Sequence, residues 1–228
     1  MSFTPKTLTV TECHQLLDAL MPGRNSHKNF RKGLRNYTIA LLMLDAGLRV
    51  GEVVALQMSD LYYGGAPVEN LTVRAEISKG KEERVIPLSE RVRNALITLY
   101  NECPHLEGLP PTAAAFHIAQ LRKPLTTRQV ERIIRSAAIR SIGRPIHPHI
   151  LRHTFASRLM RKTDARTVQE LLGHKQMSST QIYCHTNLDE TKKAINQVNE
   201  SIIDETVDKL HSSLSNRTAN RIDTPGAY

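Results

Sequence analysis

Tryptophan is absent from this 228-residue chain, and aromatic residues make up only 4% of it. A broad aromatic platform for stacking single-stranded bases is therefore not expected. Cysteine is scarce too: Cys13, Cys103 and Cys184 are scattered, with no CxxC spacing. That excludes a disulfide framework and a zinc knuckle and fits a reducing compartment, so the expected location is cytoplasmic. No apolar run approaches the roughly 20 residues of a membrane helix, so no membrane partner is expected. The N-terminus lacks the basic-then-apolar order of a secretory signal. No internal repeat is present. Negative charge is in deficit, with 22 Asp and Glu against 31 Lys and Arg, and the isoelectric point is near 9.7. A basic globular chain is a candidate for a polyanion, and DNA or RNA comes first.

What the chain does contain is mostly helical periodicity. The pattern predicts a helix over 9–21, with Thr11 as cap and Leu16, Leu17 and Leu20 at helical spacing, then a basic loop over 24–33. A strongly apolar helix follows over 34–45, with Gly47 placed to end it, and another begins at Val50 and runs to Gln57. Alternation in Leu71-Thr-Val-Arg-Ala and Arg84-Val-Ile-Pro predicts a small antiparallel sheet with Lys79 at or near its hairpin. Ser89 caps a helix to about Asn101, and 103–114 reads as a loop. Thr126 or Thr127 caps a helix to about Arg140, with Val130, Ile133, Ile134 and Ala137 on one face and Arg128, Arg132 and Arg135 on another. Pro148 opens a helix to about Arg161. Asp164 or Thr167 starts a short one that Gly173 ends, and Ser178 or Ser179 caps a helix bearing Tyr183. The fold class is mainly α with a small antiparallel β-sheet.

Five short segments carry the chemistry: Ala46-Gly-Leu-Arg49-Val-Gly-Glu52, Ser78-Lys79-Gly80-Lys81, His149-Ile-Leu-Arg152-His153, Leu171-Leu-Gly173-His174 and Thr180-Gln-Ile-Tyr183. Arg49 follows an apolar helix and a glycine, so a rigid turn presents it. His149 and Arg152 are three apart on a helix and share a face. His174 follows a helix-ending glycine. Each alone has an ordinary reading: a surface arginine, a solvated His–Arg pair, a core tyrosine. The weight lies in their joint occurrence, since two arginines, a lysine, two histidines and a tyrosine could converge on one phosphate.

In these segments the sequence resembles the tyrosine recombinases, or phage integrases, which include the Xer proteins. The matching blocks are AGLRVGE, SKGKEERVIPL, HPHILRHTFAS and LLGHKQMSSTQIYCH, and the likeness runs from about Leu8 to about Asn187. The resemblance implies that family's catalytic-domain fold and places Arg49, Lys79, His149, Arg152, His174 and Tyr183 at six active-site positions, with Glu52 at a supporting acidic one. Lys79 is preferred to Lys81 because it precedes the glycine of the hairpin pattern. The mechanism so implied makes Tyr183 the nucleophile on a DNA phosphate and gives a 3′-phosphotyrosyl link and a free 5′-hydroxyl. His149 accepts the phenol proton, Lys79 protonates the leaving 5′-oxygen, and Arg49, Arg152 and His174 hold the non-bridging oxygens. No metal, ATP or other cofactor is implied.

By the same resemblance the partner is double-stranded DNA, with Arg128, Arg132 and Arg135 as candidate phosphate or base contacts. Residues 1–187 would form the DNA-breaking and rejoining domain, and the N-terminal domain with which family members complete a clamp on DNA would be absent. Residues 188–214 repeat apolar residues at helical spacing, as an amphipathic tail that docks in trans within a homo-oligomer on DNA or folds back on its own domain. Residues 215–228 would be disordered. Three rivals remain: a type IB topoisomerase-like enzyme that only relaxes DNA, a DNA-binding regulator that does not cut, and a metal hydrolase using His147, His149, His153, His174 and His185. The last has no carboxylate at ligand spacing in its His-Pro-His segment.

Overall fold

The structure is a computed structural model that describes residues 7–21, 27–118 and 123–173. Its centre is one helix. Helix α1 (Val10–Leu20) leads into α2 (His27–Asp45), and every residue of α2 from Tyr37 to Asp45 is buried. A helix apolar on all sides needs neighbours on all sides. Helix α2 packs against α1, against α5 (Glu90–Glu102) and against α7 (Pro148–Leu159), while α6 (Thr127–Ile142) closes over α1. Leu34, Tyr37, Leu41, Leu44, Leu48, Phe116 and Phe155 are sealed from solvent in this core.

Two sequence expectations shift here. The cap of α1 is Thr9, whose hydroxyl accepts from the Glu12 amide while Glu12 reaches back to the Thr9 amide, a reciprocal box that Thr11 has no partner to make. The loop expected over 24–33 is helical from His27, because Phe30 and Leu34 are buried one turn apart and extend the apolar stripe of α2 beneath its basic residues.

After α2 the chain turns through Ala46–Leu48 into α3 (Val50–Ala55), which ends short of Gln57, and then α4 (Met58–Leu61). Among the described residues the strands form three antiparallel pairs: β1 (Tyr62–Tyr63) with β2 (Ala66–Pro67), β3 (Asn70–Val73) with β4 (Arg84–Pro87), and β5 (His117–Ile118) with β6 (Lys123–Pro124). The middle pair is the expected one, in the register Leu71 to Ile86 and Val73 to Arg84. Its long connection carries Lys79. The expected loop over 103–114 includes one short 3₁₀ turn, Pro104–Leu106.

Helix α5 starts at the Ser89 cap as expected, and just inside it Arg91 forks onto Asp45 at 2.6 and 2.8 Å, both side chains buried. This pair ties the end of α2 to α5 one residue before the turn that presents Arg49. Helix α6 has the Thr126 cap, boxed with Gln129, and a left-handed Gly143 at its end. Helix α8 (Ala165–Leu172) is capped by Asp164 and ended by a left-handed Gly173. Cys13 and Cys103 are free and buried, and burial pushes both thiols up to about 11, which makes them inert packing residues. Among the described residues no helix is long and apolar enough to cross a membrane.

Candidate active site

The site forms where the α2–α3 turn, the β3–β4 pair, the start of α7 and the end of α8 meet. Gly47 makes the first approach possible. Its φ of +64° suits a residue without a side chain, and a Cβ there would lie 2.5 Å from Phe155 Cδ1. The close contact brings the Gly47 carbonyl onto α7, where it accepts from Arg152 Nη1 at 2.5 Å. Arg152 Nη2 donates to the Leu172 carbonyl at 2.6 Å. Arg152 thus clamps the turn after α2 to the end of α8, and it is only 6% exposed.

Arg49 precedes α3 and is half-buried. Its amide donates to Glu52 Oε2 at 2.8 Å, its Nη1 to Glu52 Oε1 at 2.9 Å, and its Nη2 to the Gly173 carbonyl at 3.4 Å. Glu52 also receives a full fork from Arg84, at 2.9 and 2.7 Å, and Arg84 Nε donates to the Leu171 carbonyl at 2.8 Å. Three guanidinium groups therefore hold three consecutive carbonyls at the end of α8, which satisfies acceptors that a helix end leaves open.

The electrostatics follow from this crowding. Burial would raise the Glu52 carboxyl, but hydrogen bonds from Arg84 and Arg49 outweigh it and hold the group below the ordinary range. Burial, then the charge of Arg49 beside it, disfavours the Arg152 cation, with Glu52 opposing. A guanidinium does not give up its proton in a protein, so an arriving anion is what relieves that cost. Arg49 and Arg84 bond the Glu52 carboxylate while Arg152 lies beside them on backbone carbonyls, three guanidinium groups of a kind suited to a phosphate.

His149 stands on the first turn of α7, exposed, on the same face as Arg152. Partial burial lowers its pKa below the ordinary histidine value, and the charges of His153, Arg152, Arg49 and Lys79 lower it further. An imidazole kept neutral at pH 7 is able to accept a proton. Lys79 is exposed in the β3–β4 connection, in a turn closed by the Lys81 amide on the Ser78 carbonyl at 3.0 Å. The structure thus brings together Arg49, Glu52, Lys79, His149 and Arg152. His174 and Tyr183 lie outside the described residues, as do the tail over 188–214 and the last residues, 215–228. Arg128, Arg132 and Arg135 are exposed along one face of α6, with Ile139, 47% exposed, continuing that stripe. Among the described residues no three His, Cys, Asp or Glu side chains gather into a group that could hold a metal.

Arg84 is the site residue that sequence reasoning passed over. A signal was present: in the alternation Arg84-Val85-Ile86 the arginine falls on the inward face with Ile86, where a charged residue needs a buried partner.

A model of the phage integrase family matches residues 6–190. The tyrosine recombinase XerC of Pediococcus pentosaceus is 34% identical over 187 residues, which are 80% of this chain and 58% of that protein. The crystal structure of XerA recombinase superposes with a TM-score of 0.60 at 28% identity, covering 86% of this chain and 66% of that one. The XerH site-specific recombinase, bound to its difH substrate in a pre-cleavage complex, superposes with a TM-score of 0.55 at 26% identity, covering 85% and 54%. The chain spans little more than half the length of the XerC it matches.

Proposed function

The chain belongs to the phage integrase family, and from that membership we propose that it is a site-specific recombinase that breaks and rejoins duplex DNA through Tyr183. The observation that carries the reading is a pair of clamped arginines, Arg49 and Arg152, beside a histidine whose pKa is held down by partial burial and then by the charges around it, theirs included. In this scheme the Tyr183 hydroxyl attacks the scissile phosphorus, His149 takes its proton, and the bond from phosphorus to the 5′-oxygen breaks. Lys79 gives that oxygen a proton, which leaves a 3′-phosphotyrosyl link and a free 5′-hydroxyl. Arg49 and Arg152, with His174, hold the non-bridging oxygens as their charge grows. Return attack by a 5′-hydroxyl reforms the phosphodiester, so the bond energy is kept and neither ATP nor a metal has a step to perform.

The substrate is duplex DNA in the cytoplasm, with the Arg128, Arg132 and Arg135 face of α6 along a groove. The fold likeness to XerH, which was solved on its DNA substrate, supports this. The working form is a homo-oligomer on DNA, with the 188–214 segment docked on a neighbouring protomer. The test is strand exchange between two labelled duplexes drawn from the DNA flanking its own gene, in EDTA. Recombinant products support the proposal. Relaxation of plasmid without exchange would assign a topoisomerase-like activity, and binding without cleavage a regulator.

A further inference from the structure

Glu52 is 1% exposed, and both of its oxygens are filled. Oε1 accepts from Arg49 Nη1 and Arg84 Nη1, and Oε2 accepts from the Arg49 amide and Arg84 Nη2. A carboxylate offers about four acceptor positions, so none is left over. The arrangement is asymmetric. Arg84 takes the carboxylate with both terminal nitrogens, while the Arg49 side chain touches it through one nitrogen and reaches toward the Gly173 carbonyl with the other. Arg84 belongs to β4, downstream of the Lys79 connection; it bonds Leu171, and its Cδ lies 3.3 Å from where a Cβ on Gly173 would stand.

We propose that Arg84 is a positioning residue for strand cleavage: by occupying one side of the Glu52 carboxylate it keeps the Arg49 guanidinium from closing onto Glu52 and holds it at the phosphate. The proposal rests on the reading of the reaction given above. Without Arg84, a buried carboxylate has two empty acceptor positions, and Arg49 is the nearest donor able to fill them. A one-point contact then becomes a fork, which is the stronger and more directional arrangement. The guanidinium that should meet a non-bridging oxygen is drawn off it. Arg84 never needs to touch DNA for this to matter.

The test compares Arg84→Met with the double variant Glu52→Gln, Arg84→Met in the full chain. Two readouts are taken: single-turnover formation of the covalent DNA adduct on a nicked duplex at saturating protein, and the crystallographic position of Arg49. A misplacement of this kind costs about 100-fold in rate, so Arg84→Met is expected to lose that much while its Kd for the duplex changes by less than about threefold. The double variant is expected to recover at least about tenfold of the rate, because a neutral amide no longer draws Arg49 in. Glu52→Gln also relieves a buried carboxylate left short of a partner, so the position of Arg49 in the crystals is what separates positioning from a role in the fold alone. In crystals, Arg49 of Arg84→Met is expected to fork onto Glu52 and to return in the double variant, which also serves if the single variant is too unstable to assay for cleavage. An unmoved Arg49 in Arg84→Met, or a double variant that cuts no faster than the single one, overturns the proposal. A wild-type chain that forms no adduct while Arg49 moves as described overturns the reading of the reaction and leaves the placement of Arg49 by Arg84 intact.

Discussion

The Gly47 carbonyl accepts from Arg152 Nη1 across 105 positions of sequence. One short polar contact thus joins the turn that presents Arg49 to the helix that presents His149. The glycine is required twice, by its left-handed backbone and by the Phe155 ring against it.

Gly47→Ala therefore strains the backbone by about 1–2 kcal/mol and forces the Phe155 contact open at a further cost of about 1–3 kcal/mol. A loss of about 3 kcal/mol in urea unfolding is expected. Gly51 is the control: it is exposed in α3 with nothing within 4 Å of an added Cβ, so Gly51→Ala should gain about 0.5–1 kcal/mol. Equal stability of Gly47→Ala and the wild type would contradict this account of the turn.

His149 should titrate below the ordinary histidine value of about 6.5, because of partial burial and then the cations around it. The folded state binds that proton more weakly than the unfolded chain does. The stabilising contribution is therefore present above the unfolded pKa and is lost as pH falls from there through the lower folded value. Cleavage should fall over the same acid range as the base becomes protonated. NMR titration of the His149 ring measures the shift, and Lys79→Met should raise the pKa toward normal. A midpoint at or above the unfolded value would contradict the electrostatics described.

The basic face of α6 predicts a salt effect. If Arg128, Arg132 and Arg135 each neutralise a phosphate, each change to alanine should lower the slope of log K against log salt by about 0.9. A base contact would instead relax one position of the site. Arg140 is also exposed but lies about a third of a turn around the helix from the stripe, and Arg140→Ala should leave the slope nearly unchanged. Equal losses from all four would make the face a general counter-ion surface.

Much of this site was legible in the chain, for local reasons. The Ser89 cap and the Gly173 stop act within a few residues of the helix they bound, so the pattern places them, and it narrows the other two caps to Thr126 or Thr127 and to Asp164 or Thr167, of which the fold uses Thr126 and Asp164. His149 and Arg152 share a face by helical spacing. The rest depends on distant partners. The 24–33 segment is basic on its surface, and only the burial of Phe30 and Leu34 against the core reveals a helix. Arg84 looks like a strand charge until Glu52, 32 positions away, is seen to receive it. The Arg91–Asp45 pair is likewise invisible in sequence, since neither residue carries a local signal for the other.

The central claim is that Tyr183 is the nucleophile, and trapping a covalent adduct tests it most directly. The full chain is incubated in EDTA with supercoiled plasmid and nicked duplexes carrying the DNA flanking its own gene, then quenched with detergent. The account predicts DNA attached to protein through a 3′-phosphotyrosine at position 183, and none with Tyr183→Phe. Unbroken DNA that the wild-type chain nonetheless binds, or an adduct that survives Tyr183→Phe, would contradict it.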